Sequence, residues 1–258
     1  MNILVIGDIV GKPGRKAITE LVPVIKDEFN IDVVIANGEN TAGGSGVTEK
    51  TLSPLYSAGV DVVTTGDHIW RKKETAGFID DYSNLLRPCN YPPGVKGKGS
   101  VIISVGDKKI GVVNAIGRVF MQPIDCPFRA VKVEIEKLKK ETNIIIFDFH
   151  AEATSEKVAM GWYLNGEVSA VVGTHTHVAT ADETILNKGT AYITDIGMTG
   201  SMDSVIGRKK EPVLQKFLTQ VPARFDLAVD DVKLNGVIIE IDENSGKAVK
   251  IERISRRL

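Results

Sequence analysis

Short runs of β-branched apolar residues alternate with helical segments in the first quarter of the chain, and this rhythm most constrains the fold. Asn2 to Gly7, Ile31 to Ala36 and Asp61 to Thr65 are predicted strands. Apolar spacing after Pro13, and the segment from Thr48 to Ala58, predict helices between them. This order favours parallel strands joined by right-handed crossovers.

The rest of the chain adds antiparallel pairing. Two apolar runs, Ser100 to Val105 and Lys109 to Asn114, flank Gly106-Asp107 and predict a hairpin. Further predictions are a helix over Val131 to Lys140 and strands at Asn143 to Phe149, Ser169 to Val172, Thr184 to Leu186, Thr190 to Thr194, Val232 to Ile241 and Lys247 to Ile254. Without a repeat or a linker, we predict one α/β domain over residues 1–258 with a partly antiparallel sheet.

Composition narrows the class of protein. A chain of 258 residues can bury a substantial core, and its net charge of -1 gives no reason to expect non-specific binding to nucleic acid or to an acidic membrane. Cys89 and Cys126 lack CxxC spacing and are predicted free thiols. No apolar run approaches the ~20 residues needed to span a bilayer. With no signal-peptide pattern at the start, we expect a cytoplasmic protein.

All four histidines lie in polar segments that directly follow predicted strands: His68, His150, and the pair His175 and His177. Loops at strand ends are where α/β proteins gather their chemistry, and imidazole is the commonest metal ligand. A lone histidine there is more often structural. The pair is more specific, because residues i and i+2 of an extended backbone face the same side and could reach one ion or two adjacent ions.

Carboxylates follow the first three predicted strands in the same way: Asp8, then Glu39 with Asn40, then Asp67. Each one alone could be a cap or turn residue, but three in succession weaken that interpretation. Oxygen and imidazole ligands without thiolate favour Mn, Fe or Zn, and seven candidates suit two ions that share a carboxylate. Gly43-Gly44-Ser45-Gly46 could instead cradle a phosphate through backbone N–H groups, although it lacks the ending of a P-loop.

Several sequence blocks together resemble the calcineurin-like metallophosphoesterases, and more closely their YmdB-type branch, related to bacterial 2′,3′-cyclic-nucleotide 2′-phosphodiesterases. The blocks are Gly7-Asp8-Ile9-Val10-Gly11 with Pro13-Gly14-Arg15, Asn37-Gly38-Glu39-Asn40-Thr41-Ala42-Gly43-Gly44, Gly66-Asp67-His68, Asp148-Phe149-His150-Ala151-Glu152-Ala153-Thr154-Ser155-Glu156, Gly173-Thr174-His175-Thr176-His177 and Thr194-Asp195-Ile196-Gly197-Met198-Thr199-Gly200. The resemblance covers nearly the whole chain.

The resemblance implies a fold and a set of ligands. The fold is a four-layer α/β/β/α sandwich of two mixed sheets, with a dinuclear centre at the strand ends. One ion is held by Asp8, Glu39, Asn40 and His177, and the other by Glu39, Asp67, His150 and His175. His68 stands beside the centre as the acid. Asp148 and Asp195 are candidates for orienting the ligand imidazoles, or are turn and cap residues.

The implied activity is hydrolysis of small phosphodiesters such as 2′,3′-cyclic nucleotides by a hydroxide that bridges two transition-metal ions, Fe or Mn before Zn. RNA-derived substrates and a homo-oligomer are further expectations. Two alternatives stay open: a regulatory or scaffolding protein that keeps its metal site, and a phosphomonoesterase or nucleotidase. The irregular stretch from Gly117 to Pro127 is a mobile lid or a subunit contact.

Two positions depart from the superfamily pattern. The wider superfamily begins with Asp-x-His, whereas Val10 stands at the third place here, a loss that the YmdB-type branch shares and meets with Asn40. The second departure is Asp67, where the superfamily motif is Gly-Asn-His. The extra negative charge of Asp67 is expected to hold the ions more tightly and to make them weaker Lewis acids.

Overall fold

Two β-sheets lie between layers of helices in the computed structural model, which describes residues 1–258. The strands are β1 (Asn2–Ile6), β2 (Asp8–Ile9), β3 (Val33–Asn37), β4 (Val62–Thr64), β5 (Ser100–Val105), β6 (Lys108–Ile116), β7 (Ile145–His150), β8 (Ala170–Thr174), β9 (Thr184–Ile185), β10 (Ala191–Ile193), β11 (Met198–Ser201), β12 (Val232–Ile241) and β13 (Ala248–Arg257). The helices are α1 (Gly11–Phe29), α2 (Glu49–Ser57), α3 (Thr75–Phe78), α4 (Pro127–Leu138), α5 (Thr154–Tyr163) and α6 (Lys210–Thr219), with a 3₁₀ turn at Ile79–Asp81.

The first sheet is mixed. Its order is β2-β11-β12-β1-β3-β4, and β13 pairs with β12. The strands β1, β3 and β4 are parallel, as the strand–helix rhythm predicts. The long C-terminal strand β12 pairs antiparallel with β1, so the end of the chain completes a sheet that the beginning starts.

The second sheet is also mixed, with the order β5-β6-β7-β8-β10-β9. The predicted hairpin is confirmed, because β5 and β6 pair antiparallel across Gly106-Asp107. The strands β6, β7, β8 and β10 run parallel, and β9 closes the far edge in the antiparallel direction.

The two sheets pack face to face, and helices cover their outer faces. Side chains alternate along β1, so that Ile3 and Val5 enter the core between the sheets while Leu4 and Ile6 face the helices. The inter-sheet core also takes Ile146 of β7. Helices α1 and α2 cover the first sheet, and α4 and α5 cover the second. The predicted α/β/β/α sandwich of two mixed sheets is confirmed.

Several elements lie outside the sequence predictions. The short strands β2 and β11 have too few residues to show a period, and helices α5 and α6 were not predicted. Within α5, Gly161 and the exposed Trp162 and Tyr163 blur the apolar face. Helix α4 begins at Pro127 rather than Val131, because proline suits the first turn of a helix. No helix is long and apolar enough to cross a membrane.

Candidate metal centre

The predicted site residues meet where strands of both sheets end. Asp8 follows β1, and Glu39 and Asn40 follow β3 in the first sheet. In the second sheet, His150 is the last residue of β7, and His175 follows β8 directly. Parallel strands end at one edge, so chain segments far apart in sequence deliver carboxylates and imidazoles to one place.

Four of these side chains form a tight cluster. Glu39, Asp67, His150 and His175 each offer one donor atom, and these atoms lie within 4.8 Å of one another. The centre of the cluster is His150 Nε2, which lies 3.3 Å from Glu39 Oε2, 3.4 Å from Asp67 Oδ1 and 3.0 Å from His175 Nδ1. Such a group of carboxylates and imidazoles is a donor set for a divalent transition metal.

The other three predicted ligands lie beside this cluster. His177 Nε2 is 3.8 Å from Asp8 Oδ1 and 3.2 Å from Asn40 Nδ2. Asn40 Nδ2 in turn donates to Glu39 Oε1 at 3.0 Å. Glu39 therefore touches both groups, one through each carboxylate oxygen.

The polar atoms of the site fit a cation. Asp8 Oδ1 and Asp67 Oδ1 are buried and have no hydrogen-bond donor, an arrangement that is costly unless positive charge is supplied. Burial raises the pKa of Asp8 to about 6, although His177 and His150 oppose the rise. Gly66 allows the close approach, because a Cβ atom there would clash with the His150 ring and the Glu39 carboxylate.

The His150 imidazole is oriented by a hydrogen-bonded chain. Its Nδ1–H donates to Thr174 Oγ1 at 2.9 Å, and the Thr174 hydroxyl donates to Asp148 Oδ1 at 2.7 Å. This direction leaves Nε2 free to face the cluster. Asp148 reaches the imidazole through Thr174 and through Asn37, whose amide nitrogen lies 3.2 Å from Asp148 Oδ2 and 3.3 Å from His150 Nδ1. The Asp148 carboxylate also accepts from Thr64.

The other two imidazoles are anchored in the same manner. His175 Nε2 lies 3.2 Å from Glu152 Oε2, and His177 Nδ1–H donates to the Ile206 carbonyl oxygen at 3.1 Å. In each ring one nitrogen is engaged outside the cluster and the other faces inward, the arrangement typical of metal-binding histidines. Burial and the nearby His150 lower the pKa of His175 to about 4, so its ring is neutral near pH 7.

The backbone of the histidine pair differs from the prediction. An extended conformation is wrong here, because φ is 100° at His175 and 66° at His177, values that non-glycine residues rarely adopt. The Thr176 N–H between them donates to Asp195 Oδ2 at 3.1 Å. That carboxylate also accepts from the buried Lys157 Nζ at 2.6 Å. Asp195 therefore holds the loop backbone and contacts no imidazole.

His68 stands at the rim of the cluster. Its Nδ1 is 2.8 Å from Asn40 Oδ1, and its Nε2 is 3.7 Å from Asp67 Oδ2. The side chain is 28% exposed, whereas His150 is fully buried, so His68 is accessible to solvent. Burial opposes the charged form of His68, but Glu39 and Asp67 raise its pKa above the ordinary value.

The geometry adds a condition for Asn40. Its amide oxygen accepts from His68, while its amide nitrogen faces His177 and Glu39. Only the amide oxygen has lone pairs that a metal ion can bind. Asn40 can therefore act as a ligand only after a rotation of its amide group that exchanges the positions of Oδ1 and Nδ2.

The glycine-rich loop after Asn40 is not arranged as a phosphate cradle. The Gly43 and Gly44 N–H groups already donate to the Thr41 and Asn40 carbonyl oxygens. Arg208 holds the loop from outside, donating to the Gly44 carbonyl oxygen at 2.6 Å. The loop therefore supports the strand end that carries Glu39 and Asn40.

Three supporting residues were not predicted from the sequence: Glu152, Lys157 and Thr174. Glu152 and Thr174 lie inside two of the blocks quoted above, where Glu152 follows the ligand candidate His150 by two residues. An acidic residue so close to a candidate ligand is the sequence feature that could have identified Glu152 as a support. No sequence feature identifies Lys157, because a lysine on a helix is normally solvated. In the structure its side chain is only 2% exposed.

Fold and site together define an α/β protein of two mixed sheets with a group of metal-ligand candidates at its strand ends. Residues 4–254 match the family model of the YmdB-like proteins, and the chain belongs to that family. It is 51% identical to the 2′,3′-cyclic-nucleotide 2′-phosphodiesterase of Bacillus subtilis over 98% of this chain and 96% of that protein.

Two solved structures share the fold over more than nine-tenths of their length. A hypothetical protein from Thermus thermophilus superposes with a TM-score of 0.94 at 41% identity, covering 100% of this chain and 99% of the other. A novel phosphatase from Mycoplasma pneumoniae superposes with a TM-score of 0.93 at 36% identity, covering 100% of this chain and 93% of the other.

Proposed function

We propose that this protein is a metal-dependent phosphodiesterase that hydrolyses 2′,3′-cyclic nucleotides or similar small phosphodiesters. The observation that carries the proposal is the cluster of Glu39, Asp67, His150 and His175. The activity named for the Bacillus subtilis relative supports the substrate class.

The donor set is suited to two ions, iron or manganese before zinc. Asp8, Glu39, Asn40 and His177 would hold one ion, and Glu39, Asp67, His150 and His175 the other. When bound, such ions activate a water molecule and neutralise charge on the phosphoryl oxygens. Thr174, Glu152 and the Ile206 carbonyl would keep the three imidazoles aimed at them.

His68 would act as the general acid. In hydrolysis of a 2′,3′-cyclic nucleotide, a water oxygen bonds to phosphorus and the bond from phosphorus to O2′ breaks. The departing oxygen needs a proton, which His68 Nε2 would give from its position at the rim of the cluster. The raised pKa of His68 supports this role, because it keeps the ring protonated nearer to neutral pH.

Small nucleotides are the first substrates to test. An RNA fragment that ends in a 2′,3′-cyclic phosphate presents the same ring and is the second. We expect a cytoplasmic enzyme, in keeping with two free cysteines, and a homo-oligomer.

The test is turnover of 2′,3′-cyclic AMP by protein loaded with Mn²⁺ or Fe²⁺. Chromatography of the product distinguishes 3′-AMP, expected from cleavage at O2′, from 2′-AMP. Chelator-treated protein and Glu39→Gln are the inactive controls, and 5′-AMP as substrate separates a diesterase from a nucleotidase. Loaded protein that turns over no ester would contradict the proposal and favour the regulatory alternative.

A further inference from the structure

The loop from Gly117 to Gln122 leaves β6 at the sheet edge that carries the metal centre. Strands β6 and β7 pair in parallel, with Ile116 opposite His150. The Gly117 N–H donates to the His150 carbonyl oxygen at 3.0 Å. The loop therefore begins one hydrogen bond away from a residue at the middle of the cluster.

Glu156 of α5 fixes the next two residues of the loop. It is 7% exposed and forms no ion pair, and its carboxylate accepts from the Arg118 and Val119 N–H groups at 3.2 Å. Hydrogen bonds from backbone N–H groups to a carboxylate are stronger than those to a neutral acceptor. Glu156 thus ties two successive N–H groups of the loop to α5.

The held loop presents Phe120 to solvent. The side chain is 88% exposed, and φ is 61°, in the left-handed region that aromatic residues rarely occupy. The ring gains no burial in exchange for that conformation. A strained residue that surrounding contacts hold in place points to a role outside the fold itself.

The far end of the loop is tied to the opposite side of the centre. Gln122 Nε2 donates to Tyr91 Oη at 2.8 Å, and the Tyr91 ring packs edge-on against Trp70. Trp70 follows His68 by two residues, so Tyr91 packs against the segment that carries Asp67 and His68. The loop therefore spans from the His150 side of the centre to the side that carries Asp67.

From this placement we propose that Phe120 binds the nucleobase of the substrate by stacking and selects nucleotides over other phosphodiesters. The inference rests on the proposed function and adds the part of the substrate that the metal centre does not contact. A 2′,3′-cyclic nucleotide carries its phosphate and its base on opposite faces of the ribose, so a second contact beyond the phosphate site is required to read the base. Every base has a π face that an aromatic ring can cover, so Phe120 selects for a base without selecting among bases.

The experiment compares two cyclic phosphates, 2′,3′-cyclic AMP and the 2′,3′-cyclic phosphate of 1-O-methyl ribose, which has no base. The ratio of their kcat/KM values measures the contribution of the base. Phe120→Ala is expected to lower this ratio about 5- to 30-fold, mainly through KM, and Phe120→Tyr to restore it. Glu156→Gln, which weakens the hold on the loop, should lower the ratio less.

Phe217 on α6 supplies a matched control, because it is also an exposed phenylalanine, at 73%, and is bound to no part of the site. Phe217→Ala should keep the ratio of the wild type. A ratio within twofold of the wild type in Phe120→Ala would overturn the inference, as would an equal fall in Phe217→Ala. If the ratio is unchanged and light scattering shows that Phe120→Ala dissociates an oligomer, Phe120 forms a subunit contact instead.

Calorimetric titration separates this inference from the proposed function. Metal-loaded protein is titrated with 3′-AMP and with ribose 3-phosphate, which require no turnover. Weaker binding of 3′-AMP alone in Phe120→Ala supports stacking even if hydrolysis fails. Equal binding of the two ligands by the wild type overturns it even if hydrolysis succeeds.

Discussion

Lys157 Nζ lies 2.6 Å from Asp195 Oδ2, and both side chains are almost completely removed from water. The same carboxylate accepts the Thr176 N–H, and the Lys157 ammonium also donates to the Thr174 carbonyl oxygen at 2.8 Å. The ion pair thus supports the backbone on both sides of His175. We therefore expect this buried charge pair to couple the stability of the fold to metal binding.

Replacing Lys157 by Met tests that coupling. The variant leaves the Asp195 charge buried without a counter-charge, and loss of one partner of a buried pair costs about 3–5 kcal/mol. We expect the free energy of unfolding of the metal-free protein, measured in urea, to fall by about this amount. Affinity for the ion near His175, measured against a chelator, should fall as well.

Two comparisons sharpen the result. Removing both charges with Lys157→Met and Asp195→Asn should recover part of the lost stability. Lys210→Met, which breaks a solvent-exposed pair with Asp203, should change little. A loss under about 1 kcal/mol in Lys157→Met would mean that water or a rearranged carboxylate replaces the ammonium.

Metal ligands and the acid should separate by mutation. His150 is buried among the donors, whereas His68 stands at the rim. His150→Ala is expected to lose one ion per chain together with the activity. His68→Ala should keep the metal content of the wild type and lower turnover about 10²- to 10⁴-fold, the usual loss for a general acid. Metal analysis beside steady-state rates gives both quantities, and a metal-free His68→Ala protein would show that His68 is a ligand.

Replacing Glu39 should remove more metal than replacing Asp8. The wild type is expected to carry two ions per chain when it is purified without chelator. Glu39 touches both donor groups, so Glu39→Gln should lose both ions, while Asp8→Asn should lose one. Elemental analysis after dialysis counts them. A wild type with one ion at most, retained in both variants, would exclude the dinuclear arrangement.

Much of this site could be predicted because it depends on strand ends, which a sequence marks clearly. Apolar runs located β1, β3, β4, β7 and β8, and the polar residues that follow them converge as parallel strands require. The residues that hold the candidate ligands in place were harder to predict. Lys157 on α5 and Asp195 after β10 are 38 residues apart, and Thr174 on β8 reaches Asp148 on the neighbouring strand β7, so each partnership depends on tertiary packing.

The histidine pair shows the same limit. The sequence placed His175 and His177 together for the wrong reason, because a one-residue spacing suggests an extended backbone. Both residues have positive φ instead, and the Thr176 N–H between them donates to Asp195, a residue on another segment. Local spacing identified the ligand candidates, but tertiary contacts determined their conformation.

Asp67 offers the last test, because the superfamily that the sequence resembles carries Asn at this place in its Gly-Asn-His motif. If Asp and Asn at position 67 each serve only to give the metal an oxygen ligand, Asp67→Asn leaves the turnover unchanged. Asp67 Oδ1, however, is buried, lacks a hydrogen-bond donor and lies 3.4 Å from His150 Nε2 within the donor cluster. An added unit charge at about 4 Å from a cation is worth about 4 kcal/mol even at an effective dielectric of about 20. Only the part of that energy that differs between ground state and transition state affects the rate.

Asp67→Asn is therefore expected to raise phosphodiester turnover, to loosen the ion near His175 and to move the acidic limb of the pH–rate profile to lower pH. The sign follows from charge: removing a negative group makes the centre more positive, which favours loss of a proton and weakens attraction for a cation. Both proteins are compared fully loaded with the same metal, on the same diester. An unchanged profile would favour the simple oxygen-donor interpretation. A slower Asn variant would instead show that the surrounding residues are adjusted to the aspartate.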